Sequence, residues 1–511
     1  MNDIANKYYP DRSTQIIITI SVMLVAIIEV LDMTIVNVAL PPMMGALGAN
    51  SDEITWVLTA YIVSSAIVMP LTGLLVKLVG RRTLLMINIT GFMITSLLCG
   101  LSVSLTEMVF LRTLQGIFGA SLIPLSQYIL RDTYPPKEHG HAMAIWGVGI
   151  MVAPVLGPTL GGYITSWLNW RWIFFINVPV CIVAFSLTLF NITETAREYI
   201  RIDWYGLALM VIGIGCLQIV LDRGNTSGWF SSNFILIMSI AAAIGLLTFI
   251  HKGVHDKENI INLMLFRYRN FWLCCTILLI YSMGIIGMIS VQPILLENLF
   301  NYNAQTAGLA MAPRALASAL TMIAAGFLTD KIDNRWMIFT GVGLTAIGSY
   351  LTAHINLHTS FDLFAWYGFI QGLGMGLVFT PLSTLALSEM AGKEMAEGAG
   401  LFSFSRSIGS SIGISILSTT ISRETQVNWH QLGGHLVTTQ YNFQRWLQLK
   451  GMSIHNPQDV HQIAQKLHQQ ATMVAFVDTF WLVTLSSALL LPFVFFLKRA
   501  PHNPQGNMPN H

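Results

Sequence analysis

The stretch QIIITISVMLVAIIEVLDMTIVNVALPP, from Gln15 to Pro42, is apolar enough for a bilayer yet carries two carboxylates near its middle. These acids, Glu29 and Asp32, are three residues apart, so on a helix they lie on one face, one turn from each other. A carboxylate at bilayer depth costs several kcal/mol unless it faces a cavity, finds a partner or takes up a proton. We therefore predict a retained first membrane helix whose acidic face responds to protons.

The whole chain has the composition of a membrane protein. Of its 511 residues, 54% are hydrophobic and 10% are charged, with a mean hydropathy of +0.61, whereas about a quarter of the residues of soluble proteins are charged. The net charge of +2 gives no sign of nucleic-acid binding. The five cysteines lie in apolar segments without metal-ligand spacing, so we expect buried thiols, no metal and no cofactor.

The pattern of apolar runs predicts an all-α integral membrane protein of fourteen transmembrane helices. Lys and Arg concentrate in the termini and the even-numbered connections, so the positive-inside rule places both termini in the cytoplasm. The predicted units are a six-helix bundle (1–195), two inserted helices (196–252), a cytoplasmic linker (253–270) and a second six-helix bundle (271–511). The centres of the runs, each about 20 residues long, are Ala26, Ser64, Thr90, Phe118, Val152, Val183, Met210, Ile240, Leu279, Ala317, Thr345, Gly374, Ser411 and Thr484.

The longest outer connection, residues 422–470, is rich in His, Gln and Asn. Within it Val460, Ile463 and Leu467 recur at helical spacing, which predicts a small amphipathic helix on the outer face. Two interpretations stay open for this helix: a cover for the surface, or a docking site for a partner outside the membrane.

Short motifs recur 253 to 257 residues apart, which indicates two similar halves. Alternating-access transporters are built from two such halves and hold their substrate at the interface between them. The echoed motifs are GLLVKLVGRR (73–82) with GFLTDKIDNR (326–335), QG (115–116) with QG (371–372), and PLS (124–126) with PLS (381–383).

Six ordered stretches carry a family signature. They are LDMTIVNVALP (31–41), GLLVKLVGRR (73–82), RTLQGIFG (112–119), GPTLGG (157–162), WRWIFFINVP (170–179) and LDRG (221–224). Together they resemble the major facilitator superfamily, and more narrowly its 14-helix drug:proton antiporters and the EmrB-type multidrug efflux proteins among them. The resemblance covers nearly the whole chain.

This resemblance implies two six-helix bundles with helices 7 and 8 inserted between them, in the inner (cytoplasmic) membrane of a bacterium. The implied partners are a lipophilic drug-like substrate, protons, membrane lipid, a periplasmic adaptor (membrane fusion) protein and an outer-membrane channel. One position departs from the family: the acidic residue of the 73–82 motif is Lys77 here, whereas Asp330 keeps it in the second half. Glu29 lies outside the signature, so its role rests on position alone.

Asp32 is the predicted proton acceptor, in a network with Glu29, Arg112 and Gln115. Arg112 lies inside helix 4 and keeps its charge, so it must be paired or hydrated. An Asp32 that meets Arg112 in only one conformation would load a proton on one side of the membrane and release it on the other. Two alternatives stay open: a static ion pair that fixes helix packing, and a Glu29 that binds a cationic substrate instead of protons.

A further set of residues is predicted to act in gating. The glycines and proline of GPTLGG permit close packing and a kink, and Arg81 and Arg82 would latch the halves together at the cytoplasmic side. A local ion pair with Arg223, or a helix cap, is expected for Asp222. For Arg314 and Arg406 a gating role and a structural role both stay open. The full set is Gly73, Gly80, Arg81, Arg82, Gly157, Pro158, Gly161, Gly162, Asp222, Arg314, Asp330 and Arg406.

Substrate candidates are polar or amphipathic residues within the apolar segments, because an apolar wall with a few polar groups suits a lipophilic drug. They are Asn37, Gln127, Trp146, Tyr281 and Gln292.

We therefore expect a proton-driven antiporter that expels amphipathic drugs or toxic small molecules by alternating access. The sequence has no GxxxxGK[ST] loop, which argues against ATP as the energy source, and no catalytic or metal-ligand set, so we expect a protein that is not an enzyme. The alternatives are an exporter of one dedicated molecule, such as a siderophore or metabolite, and a non-transporting membrane receptor.

Overall fold

The computed structural model describes residues 9–199, 202–255, 260–329, 331–390, 392–437 and 440–498, and all regular structure in them is helical. Of the predicted site residues, Asp330 and the side chain of Pro158 lie outside this described part. The helices are α1 (Arg12–Leu47), α2 (Asp52–Val79), α3 (Arg81–Leu101), α4 (Leu105–Thr133), α5 (His139–Trp167), α6 (Trp172–Asn191), α7 (Trp204–Arg223), α8 (Asn233–His255), α9 (Arg269–Asn298), α10 (Ala304–Leu328), α11 (Asn334–Thr352), α12 (Phe361–Ala386), α13 (Lys393–Gly434), α14 (Tyr441–Lys450) and α15 (Pro457–Val494).

Capping residues set several of the helix ends. α1 begins after Asp11, whose carboxylate accepts hydrogen bonds from Thr14, and it ends at Gly48, whose φ of 65° is left-handed. Asn303 and Ser360 stand before α10 and α12, where the side-chain oxygen of each accepts a hydrogen bond from the backbone N–H three residues later. Such caps satisfy backbone groups that a helix leaves free at its ends.

All fourteen predicted centres lie in helices. Within the described residues, eleven helices are long and apolar enough to cross a bilayer. The chain is therefore an all-helical, multi-pass membrane protein.

The helices form two groups that repeat one packing pattern. In the group α1–α6, which we call the first half, α1 packs on α5, and α2 and α3 pack on α4. In the second half, α9–α13 with α15, the helix α9 packs on α13, and α10 and α11 pack on α12. The halves meet mainly where α5 packs on α10 and α2 on α13, and also where α4 touches α13 and α5 touches α12. The inserted helix α7 packs on α8 and also touches α2 and α13.

The region predicted as an outer loop with one small helix is instead mostly helical. α13 continues to its end at residue 434, α14 follows, and the stretch around Val460 is the first part of the long helix α15. It continues because no Gly or Pro interrupts it after Pro457 until Pro492. α13 and α15 have 42 and 38 residues, which makes them about 63 and 57 Å long. Since the apolar core of a bilayer is about 30 Å thick, both helices extend beyond it.

Candidate functional site

Asp32 of α1 lies at the centre of a buried polar network inside the first half. Its Oδ2 is 2.6 Å from Nη1 of Arg112, and its Oδ1 accepts from Nε2 of Gln115 at 3.2 Å and from Nδ2 of Asn177 at 2.9 Å. Nδ2 of Asn177 is also 3.0 Å from Oγ of Ser96. Four helices, α1, α3, α4 and α6, thus supply one site. An ionised carboxylate only accepts hydrogen bonds, and the donors around it suit that form.

The Arg112 guanidinium is fully buried and held on several sides. Besides Asp32, it donates to Oε1 of Gln115 at 2.8 Å and to the backbone oxygen of Val57 at 3.2 Å. Its carbon lies 4.3 Å from the ring centre of Tyr61. The structure therefore brings together Asp32, Arg112 and Gln115 as the sequence predicts, and it places the guanidinium against an aromatic face.

Asn177 and Tyr61 are the members of this network that the sequence reasoning did not single out. Asn177 stands in the WRWIFFINVP motif, and its amide is a polar group in an otherwise apolar helix, which is a signal that was available. Tyr61 had no such signal, because a tyrosine in an apolar run is more often packing than function.

Glu29 occupies a different environment from Asp32. It is fully buried, and within the described residues neither of its carboxylate oxygens has a hydrogen-bond partner. The charges that act on it are those of Asp32 on its own helix and of Arg406 on α13 of the second half. Arg406 of the second half thus acts on Glu29 through its charge and without a hydrogen bond, whereas Asp32 is engaged within the first half alone.

The GPTLGG motif packs α5 directly on α1 beside Asp32. A Cβ at Gly157 would lie 2.8 Å from Cβ of Thr34, and one at Gly161 would lie 3.1 Å from the backbone oxygen of Ile35. Gly162 has nothing within 4 Å of such a Cβ. Two of the three glycines therefore make the close approach that the sequence predicts.

This difference gives a matched pair of variants. We expect Gly157→Ala to destabilise the protein by about 1–3 kcal/mol, because the added methyl group overpacks the α1–α5 contact. Gly162→Ala adds the same methyl group to open space and should leave stability within about 0.5 kcal/mol of wild type. Thermal unfolding of the detergent-purified proteins measures both, and equal effects of the two substitutions would contradict the packing described.

The halves also meet at the end of the bundle that carries Arg12, Lys77 and Arg81, which we call the basic end. Lys77 of α2 forms an ion pair with Glu397 of α13. A Cβ at Gly73, one turn earlier, would lie 2.6 Å from Cα of Glu397, so the two helices touch there. The lysine that departs from the family pattern thus has an acidic partner in the other half.

Arg81 and Arg82 differ from their prediction, because within the described residues they bond inside the first half and not across the halves. Arg81 pairs with Asp132 of α4 and donates from Nε to the backbone oxygen of Thr193 at 2.9 Å. Arg82 donates from Nη2 to the backbone oxygen of Leu189 at 2.6 Å. Both arginines begin α3, which directs their side chains to α4 and to the end of α6.

Gly80 precedes α3 with a φ of 90°, a conformation that favours glycine. Its missing side chain leaves room for Glu194, whose Oε1 and Oε2 accept from the backbone nitrogens of Arg82 at 3.0 Å and Thr83 at 2.9 Å. Burial raises the pKa of Glu194, but hydrogen bonds from Thr83, Thr195 and Arg82 outweigh it, so the pKa lies below its ordinary value. An acid thus meets a helix N-terminus here, although it comes from the α6–α7 connection and not from position 77.

Asp222 and Arg223 do not form the local hydrogen-bonded ion pair that the sequence analysis expects. Its Oδ2 accepts from Oγ1 of Thr59 on α2, while Arg223 donates to the backbone oxygen of Asp52 at 3.0 Å and lies 4.3 Å from the ring centre of Trp56. Successive residues near a helix end point in different directions, so each finds its own partner. Both contacts fasten the inserted helix α7 to α2 of the first half.

No hydrogen bond among the described residues joins any two of the five substrate candidates. Asn37 is exposed and bonds to its own helix, Trp146 donates to Ser126 at 2.8 Å, and the Tyr281 hydroxyl is 3.0 Å from that of Thr345 inside the second half. Gln127 and Gln292 are fully buried, each with unpartnered side-chain atoms within the described residues.

A model of the major facilitator superfamily matches residues 22–414 of this sequence. The chain belongs to the major facilitator superfamily. It is 37% identical to the multidrug export protein EmrB of Escherichia coli (strain K12) over 487 residues, which cover 94% of this chain and 95% of the relative. It is 34% identical to the fatty acid resistance protein FarB of Neisseria gonorrhoeae over 502 residues, covering 96% and 97%.

Solved structures support the same superfamily fold. That of the human organic anion transporter MFSD10 (TETRAN) aligns with a TM-score of 0.60 at 13% identity, covering 93% of this chain and 99% of the other. The resemblance to the EmrB-type members of the superfamily is confirmed by the relatives above. Because the superfamily consists of transporters, the prediction that the chain is not an enzyme is confirmed as well.

Proposed function

We propose that this protein is a proton-driven multidrug efflux antiporter of the bacterial cytoplasmic membrane. The observation that carries the proposal is the buried network in which Asp32 meets Arg112. The printed names of two relatives, a multidrug export protein and a fatty acid resistance protein, support lipophilic or amphipathic compounds as the substrates.

The geometry supports alternating access with proton exchange. In this conformation the halves are joined at the basic end, and Arg112, Gln115 and Asn177 hold the Asp32 carboxylate. A movement of α1 against α4 and α6 would remove these donors. A carboxylate that loses its partners in an apolar setting is costly while it is charged, so it takes up a proton and becomes neutral. Return of the donors would expel that proton. Each charge moved is worth roughly 2.3 kcal/mol per 100 mV, or about a fortyfold gradient of substrate.

Glu29 is the candidate for coupling the proton step to the substrate. It is buried without a hydrogen-bond partner within the described residues, and the charge of Arg406 in the opposite half acts on it. A substrate that enters between the halves would change the surroundings of both groups at once. Glu29 therefore serves either protons or a cationic substrate in this proposal.

The proposed topology has fourteen spans with both termini in the cytoplasm, which makes the basic end cytoplasmic. The opposite face, with the extensions of α13 and α15, is then periplasmic. The EmrB-type relationship supports a periplasmic adaptor and an outer-membrane channel as partners, so that a compound leaving the cytoplasmic membrane crosses the outer membrane as well.

Reconstitution in proteoliposomes tests the proposal. With a pH-sensitive dye inside, adding a lipophilic substrate should start a proton flux, and an imposed pH gradient should drive substrate accumulation. If no compound of a drug panel changes the dye signal, there is no proton flux. That result would contradict the antiporter and favour a receptor. A flux with one compound alone would contradict the multidrug role and favour a dedicated exporter.

A further inference from the structure

Arg314 of α10 is a buried cation for which the described part of the chain supplies no ion pair. The residue is 5% exposed, and its Nε and Nη1 have no hydrogen-bond partner among the described residues. The ion pairs among the described residues do not include Arg314 either. Arginine keeps its proton in proteins, and a buried unpaired charge is costly. The site therefore lacks a negative group that its chemistry requires.

The two halves show which group is missing. In the first half, Nε2 of Gln115 donates to Asp32 at 3.2 Å. In the second half, Nε2 of the echoed residue Gln371 is 3.4 Å from the sulfur of Met288. Met288 of α9 thus occupies the position that Asp32 has on α1, and the second half keeps the glutamine without the carboxylate.

The cation, by contrast, is present in both halves but comes from different helices. A Cβ on Gly116 would meet the backbone oxygen of Tyr61, and a Cβ on the echoed Gly372 would meet that of Arg314. Arg314 therefore stands where the first half has Tyr61, the residue whose ring lies against Arg112. The guanidinium thus comes from the fourth helix in the first half and from the second helix in the second half.

Gly368 holds the position on α12 that corresponds to Arg112 on α4, because each precedes its glutamine by three residues. The Arg314 side chain reaches this glycine: a Cβ there would lie 3.7 Å from Nη2 and 3.8 Å from Nε. The guanidinium thus points to the part of the second half where Arg112 lies in the first. Arg314 is ten residues into α10, or about 15 Å from its start, and so beyond the reach of lipid head groups.

We propose that Arg314 forms a binding site for a small monovalent anion, a halide or a short carboxylate, which gives this guanidinium the negative partner that Asp32 gives Arg112 in the first half. The anion supplies the negative charge that Met288 cannot, and it is bound by charge-assisted hydrogen bonds from Nε and Nη1. The site lies inside the second half and is separate from the Asp32 network.

The test is the thermal unfolding of the purified full-length protein as chloride replaces gluconate at constant sodium concentration. A ligand that binds only the folded state raises Tm in a saturable way. We expect chloride to raise the Tm of wild type by about 2–4 °C. Arg335→Gln is the control and should show the same rise, because it removes an arginine that already has its partner in Asp333. The same rise should be absent in Arg314→Gln. Formate should act as chloride does.

Two results would overturn the proposal: a wild-type Tm that does not respond to chloride, or a saturable rise that persists in Arg314→Gln. Gly368→Leu provides a second variant in case the arginine substitution prevents folding. It keeps the charge and fills the space beside the guanidinium, so the chloride effect should be lost there as well. An undiminished chloride effect in Gly368→Leu contradicts the placement of the anion.

Discussion

Asp32→Asn is expected to abolish substrate accumulation driven by a pH gradient, from as much as about fortyfold per 100 mV to none. Asparagine has the same shape and can still accept from Asn177, but it cannot take up or release a proton. Exchange of labelled for unlabelled substrate at equal pH needs no net proton movement and should continue. Proteoliposome uptake with and without an imposed gradient separates the two activities.

The substitution also leaves the buried Arg112 without its partner, which typically costs about 3–5 kcal/mol. A loss of uptake is therefore meaningful only if the protein remains folded. The double variant Asp32→Asn/Arg112→Gln supplies the control, because removing both charges of a buried pair is often nearly neutral. It should recover the Tm of wild type and still fail to accumulate substrate.

Glu29→Gln provides the comparison at the second buried acid. If it abolishes gradient-driven uptake while Asp32→Asn retains it, the roles of the two acids are reversed. Full gradient-driven uptake in both single variants would remove the basis of proton coupling in α1.

The charged members of the buried network could be predicted from the sequence. Asp32 and Arg112 are ionisable groups in apolar runs, and membrane burial makes such groups conspicuous. Gln115 follows from its place one turn after Arg112. Asn177 was not identified as a partner because its contact with Asp32 joins helices that are 145 residues apart, and no local pattern encodes such a distance.

The basic end shows why positive charge alone is a poor guide to a partner. Arg81 and Arg82 satisfy both the topology rule and the family motif, yet they bond inside the first half. Lys77 forms an ion pair with Glu397 of the second half, and Arg131 of α4 donates to the backbone oxygen of Thr384 there at 3.2 Å. Lys77 lies on α2, which touches α13 at Gly73, whereas Arg81 and Arg82 begin α3 and point to α4 and to the end of α6.

Reversing the charge at Lys77 or Glu397 is expected to open the basic end. Lys77→Glu places two carboxylates opposite each other, and Glu397→Lys places two ammonium groups there, so each single variant replaces attraction with repulsion. The pair is partly exposed, with side chains 23% and 11% accessible, so we expect the balance of conformations to shift by about tenfold, or roughly 1.4 kcal/mol, and transport to slow accordingly.

Spin labels at residues 137 and 331, exposed positions at the basic end of the two halves, report the opening as a longer and broader distance distribution. The charge-swapped double variant Lys77→Glu/Glu397→Lys should restore the short distance and most of the transport rate, because it rebuilds the attraction in reverse. Glu138→Lys is the matched control: it breaks an exposed pair with Arg12 inside the first half and should change neither measurement. A double variant as impaired as either single one would mean that Lys77 and Glu397 do not hold the halves together. The close contact at Gly73 would then be the feature that closes the basic end.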